Sequence, residues 1–251
     1  MLNFVIGIGP GKAGTTWLYN QLSSSGQINI SKIKETNHFF KSEPSLRDYK
    51  RFFNSKGPSL CLEISNFYFK SDHALESISR LIPNAKIIIF LRDEVDRLLS
   101  CFKFEVKQGY TDDFSQYIEK INVSEFNNDL IVRRVRKYFP DEQIFLLRFD
   151  DLQERPQELL DELSNFLMID PVLFREQSYK NPSTLPRNAV FARFGRLTAK
   201  VLRFFGASTL LQKLKNSAKI RNLFYTDVPV QLTDGERNMA LEILKSSIRN
   251  N

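Results

Sequence analysis

Residues 9–16 read Gly-Pro-Gly-Lys-Ala-Gly-Thr-Thr and connect a short apolar run to a helical pattern. The apolar run covers residues 3–8 and predicts a buried strand, and apolar side chains recur at helical spacing in residues 14–25. A glycine-rich turn from a strand into a helix lets backbone N–H groups and the helix N-terminus hold an anion. The segment therefore predicts a phosphate-binding loop.

This loop carries its lysine in an unusual place. The spacing Gly-x-x-x-x-Gly matches nucleoside triphosphatases, but Thr15 stands where those proteins have lysine, and the cation lies earlier, at Lys12. Phosphoryl transfer from ATP usually needs Mg²⁺ to neutralise the bridging oxygens. A sulfuryl group carries one charge fewer, so a lysine on the leaving oxygen can suffice. The loop predicts sulfuryl transfer from a phosphosulfate without a metal; a plain glycine turn with a solvated Lys12 is the alternative.

Strand and helix patterns alternate along the first two thirds of the chain. The expected strands are 3–8, 27–33, 60–64, 86–91 and 143–149, and the expected helices are 14–25, 72–81, 94–107, 113–120, 128–139 and 156–167. This alternation predicts a three-layer α/β fold around a central parallel sheet, with ligands at the carboxyl ends of the strands. We expect one domain over 1–251, with a core of 1–170 and a basic helical extension over about 187–251.

Composition limits the class of protein. The chain has 251 residues, a net charge of +7 and 42% hydrophobic residues, which suits a soluble globular protein and excludes collagen, coiled coils and general disorder. Its two cysteines, Cys61 and Cys101, rule out a disulfide scaffold, and with only two histidines they lack zinc-finger spacing. No targeting or membrane-spanning segment is visible. We therefore expect a cytoplasmic protein.

Residues 91–100, Leu-Arg-Asp-Glu-Val-Asp-Arg-Leu-Leu-Ser, form a second motif after the strongest predicted strand. Arg92 leaves the strand's carboxyl end, and Ser100 lies in the helix that follows. A guanidinium fork together with a hydroxyl suits a phosphate monoester. Taken alone, an arginine in this position is also typical of a surface ion pair.

Both motifs resemble those of sulfotransferases that use 3′-phosphoadenosine 5′-phosphosulfate (PAPS). Residues 10–18 resemble the 5′-phosphosulfate loop, Pro-Lys-x-Gly-Thr-Thr-x-Leu, with Gly11 as an extra residue, and residues 91–100 resemble the 3′-phosphate motif Arg-x-Pro-x-x-Arg-x-x-Ser, with Glu94 replacing its proline. The resemblance implies a P-loop-type fold, PAPS as donor and 3′,5′-ADP as product. It implies that the donor is bound by Gly11, Lys12, Ala13, Gly14, Thr15, Thr16, Trp17, Arg92 and Ser100.

Residues 34–40, Lys-Glu-Thr-Asn-His-Phe-Phe, resemble the Lys-Glu-x-x-Phe-Phe segment of heparan-sulfate and bacterial carbohydrate sulfotransferases. In those relatives the glutamate removes the acceptor's proton, which implies Glu35 as the base. His38 is the alternative, since histidine titrates near neutral pH and other branches use a histidine base. A third interpretation gives these residues no catalytic role. We favour Glu35 over His38.

Residues 63–69, Glu-Ile-Ser-Asn-Phe-Tyr-Phe, resemble the family string Glu-Lys-Ser-Pro-x-Tyr-Phe. Ile64 replaces a lysine that lies near the transfer site in relatives, and Asn66 replaces a proline. Lys34 is a candidate to supply the missing charge. The alternative for Glu63 and Tyr68 is structural pairing inside the fold.

The segment 187–222 has nine basic residues and no acidic one. Arg187 lies where family members often close over the nucleotide, so it is a further candidate donor ligand. Beyond it, apolar and basic residues alternate as in a basic amphipathic helix, which fits an anionic membrane surface, an acidic acceptor, or packing on the domain. Nucleic-acid binding is not expected, because no recognised module accompanies the charge.

The sequence thus predicts a sulfotransferase that moves a sulfuryl group from PAPS to a hydroxyl, less readily an amine, of a carbohydrate or small-molecule acceptor. Lys12 would stabilise the leaving oxygen, and no metal is required. Two other functions stay open: a P-loop nucleotide kinase or NTPase, and a non-catalytic protein that binds membrane surfaces through 187–222. The acceptor and the oligomeric state have no readable signal.

Overall fold

Five parallel strands form the central sheet. The computed structural model describes residues 2–176, 184–186 and 225–249, and its sheet has the strand order β2-β3-β1-β4-β5. The strands are β1 (Asn3–Gly9), β2 (Asn29–Ile30), β3 (Leu60–Ile64), β4 (Lys86–Leu91) and β5 (Ile144–Arg148). The helices are α1 (Thr15–Ser23), α2 (Leu46–Lys50), α3 (Asp72–Leu81), α4 (Glu94–Gln108), α5 (Phe114–Lys120), α6 (Asn128–Arg136), α7 (Phe149–Glu154), α8 (Pro156–Leu167) and α9 (Asp234–Arg249).

The two faces of the sheet are both covered. Successive side chains of a strand point to opposite faces, so Phe4, Ile6 and Ile8 of β1 join a core cluster with α3 and α6, while Val5 joins a second cluster with α1 and α8. Burial on both faces explains why β4 is a continuous apolar run. The predicted three-layer α/β fold with a central parallel sheet is confirmed.

The sheet places the carboxyl ends of its strands along one edge. β1 lies between β3 and β4, and β2 lies two strands away from β1 although it follows it in the chain. The winding direction therefore reverses beside β1, and this is where open parallel sheets bind ligands. The segments that follow β1, β2, β3 and β4 carry most of the residues singled out above.

The described residues divide into two compact units. The first, residues 2–94 and 124–176, holds the five-stranded sheet. In the second, residues 95–123, 184–186 and 225–249, Phe102 packs on Phe114 with ring centroids 5.0 Å apart, and the strand β6 (Thr184–Pro186) pairs antiparallel with β7 (Tyr225–Pro229). Arg237 of α9 and Asp96 of α4 form an ion pair at 3.0 Å.

The expected basic extension is described only in part. Strand β7 and helix α9 lie within 187–251, and the predicted amphipathic helix falls in 187–224, outside the described residues. The single-domain boundaries over 1–251 stay a prediction. Among the described helices, none combines the length and hydropathy needed to cross a membrane.

Candidate active site

The loop after β1 is shaped by two glycines with left-handed backbone. Gly9 has φ of 92°, and a Cβ there would lie 2.2 Å from the carbonyl oxygen of Asn66. Gly14 has φ of 97°, caps the N-terminus of α1, and has Leu152 at 2.7 Å from the position of a Cβ. At Gly9 the Asn66 backbone leaves no room for a Cβ, and at Gly14 the left-handed backbone is the conformation that glycine adopts without strain. The two ends of the loop therefore lie against Asn66, which follows β3, and against Leu152 of α7, and Lys12, itself at φ of 66°, lies between them.

Arg92 fastens this loop to β4. Its Nη1 donates to the Lys12 carbonyl oxygen at 3.0 Å, and its guanidinium lies 4.3 Å from the centre of the Phe149 ring. The Arg92 Nε is buried and has no hydrogen-bond partner within the described residues. Buried guanidinium donors are normally satisfied, so this N–H suits an anionic group of a ligand. Arg92 and the glycine-rich loop are thus brought together, while the role of Arg92 in holding the 3′-phosphate stays a prediction.

The segment after β2 contacts the same loop. Lys34 Nζ donates to Thr16 Oγ1 at 2.7 Å, and Asn66 Nδ2 donates to Glu35 Oε1 at 2.5 Å. Surrounding protein atoms lower the pKa of the Lys34 ammonium, and the adjacent Glu35 carboxylate opposes this. Lys34 therefore contacts the end of the glycine-rich loop directly, and the Glu35 carboxylate contacts Asn66 beside that loop.

A buried carboxylate holds this segment to β3. Glu63 is 1% exposed; its Oε1 accepts from Thr36 Oγ1 at 2.9 Å and from Ser65 Oγ, and its Oε2 accepts from Tyr49 Oη at 3.2 Å. Burial raises the pKa of Glu63, and these hydrogen bonds oppose the rise. The Ser65 hydroxyl also accepts from the Asn37 N–H at 3.0 Å. The structural interpretation of Glu63 fits these contacts, because the carboxylate holds Thr36 directly and Asn37 through Ser65.

Replacing Glu63 by glutamine should lower the free energy of unfolding by about 1–3 kcal/mol, because an amide NH₂ group then faces a hydroxyl that donated to the carboxylate. Urea unfolding followed by circular dichroism measures the change. Glu76→Gln on the exposed side of α3 is the matched control and should change the free energy by less than about 0.5 kcal/mol. Equal stability of the parent and Glu63→Gln would contradict this role.

His38 has a different environment from Glu35. Its ring is 1% exposed and packs against Phe39, Tyr49 and Phe52, with Nε2 3.0 Å from the Ser45 carbonyl oxygen. Burial lowers the pKa of the imidazole. These contacts are typical of a core histidine, so they favour Glu35 as the base.

The remaining predicted residues are only partly placed. Ala13 and Thr15 are buried at the loop, and Trp17 stacks on Phe174 with ring centroids 6.4 Å apart. Ser100 lies on α4, in the second unit. Arg187 lies outside the described residues.

Two residues at the site were not singled out from the sequence as contacts. Asn66 appeared only as a replacement for a family proline, and its hydrogen bond to Glu35 had no local signal. Phe149 was assigned to the end of a strand, whereas it begins α7 and supports Arg92. Both contacts join segments that are far apart in the sequence.

A protein-family model described as a sulfotransferase domain matches residues 4–187, which is most of the chain. The chain belongs to this family. The predicted resemblance to the PAPS-dependent sulfotransferases and the prediction of a sulfotransferase enzyme are therefore confirmed.

Curated relatives agree with the family. The bifunctional heparan sulfate N-deacetylase/N-sulfotransferase of Drosophila melanogaster is 27% identical over 205 residues, which cover 66% of this sulfotransferase and 20% of that protein. A membrane-associated sulfotransferase of Dictyostelium discoideum is 29% identical over 110 residues, which cover 42% of this chain and 23% of that protein. The chain spans about a fifth of the length of these relatives.

Solved structures share the fold of this sulfotransferase. A sulfotransferase from Alicyclobacillus acidocaldarius superposes with a TM-score of 0.59 at 22% identity, covering 72% of this chain and 86% of that one. A mouse sulfotransferase complexed with PAP superposes with a TM-score of 0.52 at 14% identity, covering 99% of this chain and 85% of that one.

Proposed function

We propose that this sulfotransferase moves a sulfuryl group from PAPS to a hydroxyl of a carbohydrate or small-molecule acceptor, with Glu35 as the base. One observation carries the proposal. Asn66 holds the Glu35 carboxylate beside the glycine-rich loop that contains Lys12 and leads into α1. A base must reach the acceptor's proton while the electrophile is held by the anion site. The position of the Glu35 carboxylate next to Asn66, which packs on this loop, supports an in-line transfer.

In the proposed step, Glu35 takes the proton of the acceptor hydroxyl while the hydroxyl oxygen of the acceptor forms a bond to sulfur. The bond between sulfur and the bridging oxygen of the 5′-phosphate breaks, and that oxygen leaves with the electron pair on 3′,5′-ADP. Lys12 and the N–H groups at the start of α1 stabilise the new negative charge. Lys34, on Thr16, adds a second cation beside this turn.

Donor selection rests on the 3′-phosphate of the nucleotide. Arg92, with its buried Nε, and Ser100 are proposed to hold the 3′-phosphate, and Arg187 to close over the nucleotide. The mouse structure that shares this fold is complexed with PAP, which supports the choice of donor. The proposed chemistry needs no metal, since Lys12 and Lys34 supply the positive charge.

Calorimetric titration tests this function against a kinase or NTPase. The proposal expects binding of 3′,5′-ADP and no comparable binding of ATP with Mg²⁺. The reverse result would favour the kinase. Transfer from radiolabelled PAPS is then measured with a panel of acceptors: heparosan, its N-deacetylated form, neutral oligosaccharides and phenols. This panel separates hydroxyl from amine acceptors.

Replacing Arg92 by alanine should weaken binding of 3′,5′-ADP by about 1.5–3 kcal/mol, roughly 10- to 150-fold, because a charged hydrogen bond is lost. Calorimetry at constant salt measures the affinity. Arg47→Ala, at an exposed position on α2, is the control and should bind as the parent does. Unchanged affinity in Arg92→Ala would remove Arg92 from the donor site.

Localisation and membrane contact are further proposals. We place the protein in the cytoplasm, with residues 187–222 touching an anionic membrane surface peripherally. The charge of this segment and the membrane-associated relative support the contact. Co-sedimentation with phosphatidylserine vesicles, compared with phosphatidylcholine vesicles, tests it. Equal sedimentation with both would overturn it.

A further inference from the structure

Asn66 connects the phosphate loop to the proposed base. It follows β3 at the carboxyl edge, where its carbonyl oxygen fills the place of a Cβ on Gly9. Its side-chain Cγ lies 3.4 Å from where a Cβ on Gly11 would be, and its Nδ2 donates to Glu35 Oε1 at 2.5 Å. A single short side chain thus touches both the loop that would hold the donor and the carboxylate that would take the proton.

Two departures from the family pattern meet at this contact. Gly11 is the extra residue in the loop, and Asn66 stands where the related string has proline. Proline has no amide N–H on its side chain, so it cannot donate to the carboxylate at this position. A Cβ at position 11 would be in ordinary van der Waals contact with the Asn66 amide. The two departures from the family pattern therefore lie next to each other in this chain.

The amide of Asn66 is oriented by the carboxylate. Nδ2 donates to Glu35, while the buried Oδ1 has no hydrogen-bond partner among the residues that the structure describes. A flipped amide would place its oxygen against the carboxylate, so only this orientation is favourable. Asn29 provides a contrast, since its Nδ2 donates to the backbone oxygens of Asn54 and Pro58 and supports only the fold. The charged partner of Asn66 is instead a side chain proposed to act in the reaction.

We propose that Asn66 is a positioning residue that holds the Glu35 carboxylate at the phosphate loop and so sets the distance between base and donor. The inference rests on the proposed function of Glu35. The carboxylate sits on a backbone with φ of 60°, and its oxygen is kept in place by the charge-assisted hydrogen bond from Asn66. Loss of that bond removes one restraint on the carboxylate, while the contacts proposed to bind PAPS are retained.

Two variants test the inference with the acceptor that is sulfated fastest in the panel above. Asn66→Ala removes the amide N–H that donates to Glu35. Asn66→Asp keeps the shape of the side chain but turns a carboxylate toward Glu35. We expect kcat to fall by about 10- to 10²-fold in Asn66→Ala and further in Asn66→Asp, because a misplaced base loses its alignment. The KM for PAPS and the affinity for 3′,5′-ADP should stay within about 2-fold of the parent, since the donor's contacts are retained.

Asn37→Gly is the matched control. Asn37 is exposed, its Nδ2 donates to the Glu35 carbonyl oxygen at 3.2 Å, and glycine suits its φ of 50°. This variant should keep at least about half of the parent's kcat. Circular dichroism and thermal melting confirm that each variant is folded, and Asn66→Asp, being isosteric, guards against misfolding of the alanine variant.

The outcomes separate the inference from the proposed function. If the parent transfers sulfate and both Asn66 variants keep its kcat, the positioning role is wrong and Glu35 can still be the base. If kcat and donor affinity fall together, Asn66 serves the loop as a whole, which also overturns the role. If the parent neither binds 3′,5′-ADP nor sulfates any acceptor, the proposed function fails, and the inference fails with it.

Discussion

Replacing Lys12 by alanine is expected to slow sulfuryl transfer by at least about 10²-fold, the loss typical of one removed transition-state charge partner. The ammonium would otherwise neutralise the leaving oxygen of the 5′-phosphate as the bond to sulfur breaks. Because this charge develops during the reaction, kcat should fall more than the affinity for 3′,5′-ADP. Single-turnover rates with radiolabelled PAPS, with calorimetry beside them, measure both quantities.

Lys12→Gly separates charge from backbone effects. Lys12 has φ of 66°, which glycine adopts without strain and alanine does not. Both variants should lose the same activity if the charge matters, and Lys41→Ala, at an exposed position, should lose none. A glycine variant as fast as the parent would refute the role of Lys12.

Glu35→Gln should lower kcat by about 10²- to 10⁴-fold, the usual contribution of a general base. Glutamine keeps an oxygen that can accept from the Asn66 amide, so the geometry of the segment is retained. The binding of 3′,5′-ADP should be unchanged, because the base contacts the acceptor. The same single-turnover assay, at saturating PAPS, measures the effect.

His38→Phe is the companion variant that decides between the two candidate bases. The His38 ring lies in an aromatic cluster, which phenylalanine can fill at the loss of one hydrogen bond to Ser45. We expect near-parental kcat with somewhat lower stability. Loss of turnover in His38→Phe, together with an active Glu35→Gln, would reverse the assignment.

The strands of the core could be predicted closely because each is a continuous apolar run. The expected strands 60–64 and 86–91 coincide with β3 and β4. β2 is much shorter than the predicted 27–33. The Ser31 N–H still donates to the Leu62 carbonyl oxygen of β3, and the Lys32 N–H, which points away from β3, donates to the Phe52 carbonyl oxygen.

Two short helices, α7 and α2, have no clear pattern of apolar residues in the sequence. The helix α7 begins at Phe149, which looks like the end of β5, and Asp150 and Asp151 in its first turn favour the helix. The short α2 is capped by Ser45 but has too few residues for a clear period. These two helices were not predicted.

The candidate site also has features that could be predicted from the sequence and features that could not. The loop and its lysine could be read from contiguous residues, and their placement beside Arg92 follows from the strand order. The contact between Glu35 and Asn66 joins positions 31 residues apart, and it depends on how the segment after β2 folds back. The placement of contiguous motifs could therefore be predicted, whereas the contact between Glu35 and Asn66 could not.

The left-handed backbone at Lys12 and Glu35 has a consequence for protein engineering. Glycine at either position would relieve a conformation that costs side-chain-bearing residues about 1–2 kcal/mol. A selection for heat resistance alone would thus favour glycine at the two places where the proposed chemistry needs a charged side chain. Directed evolution of this scaffold toward higher melting temperature should screen for turnover in every round.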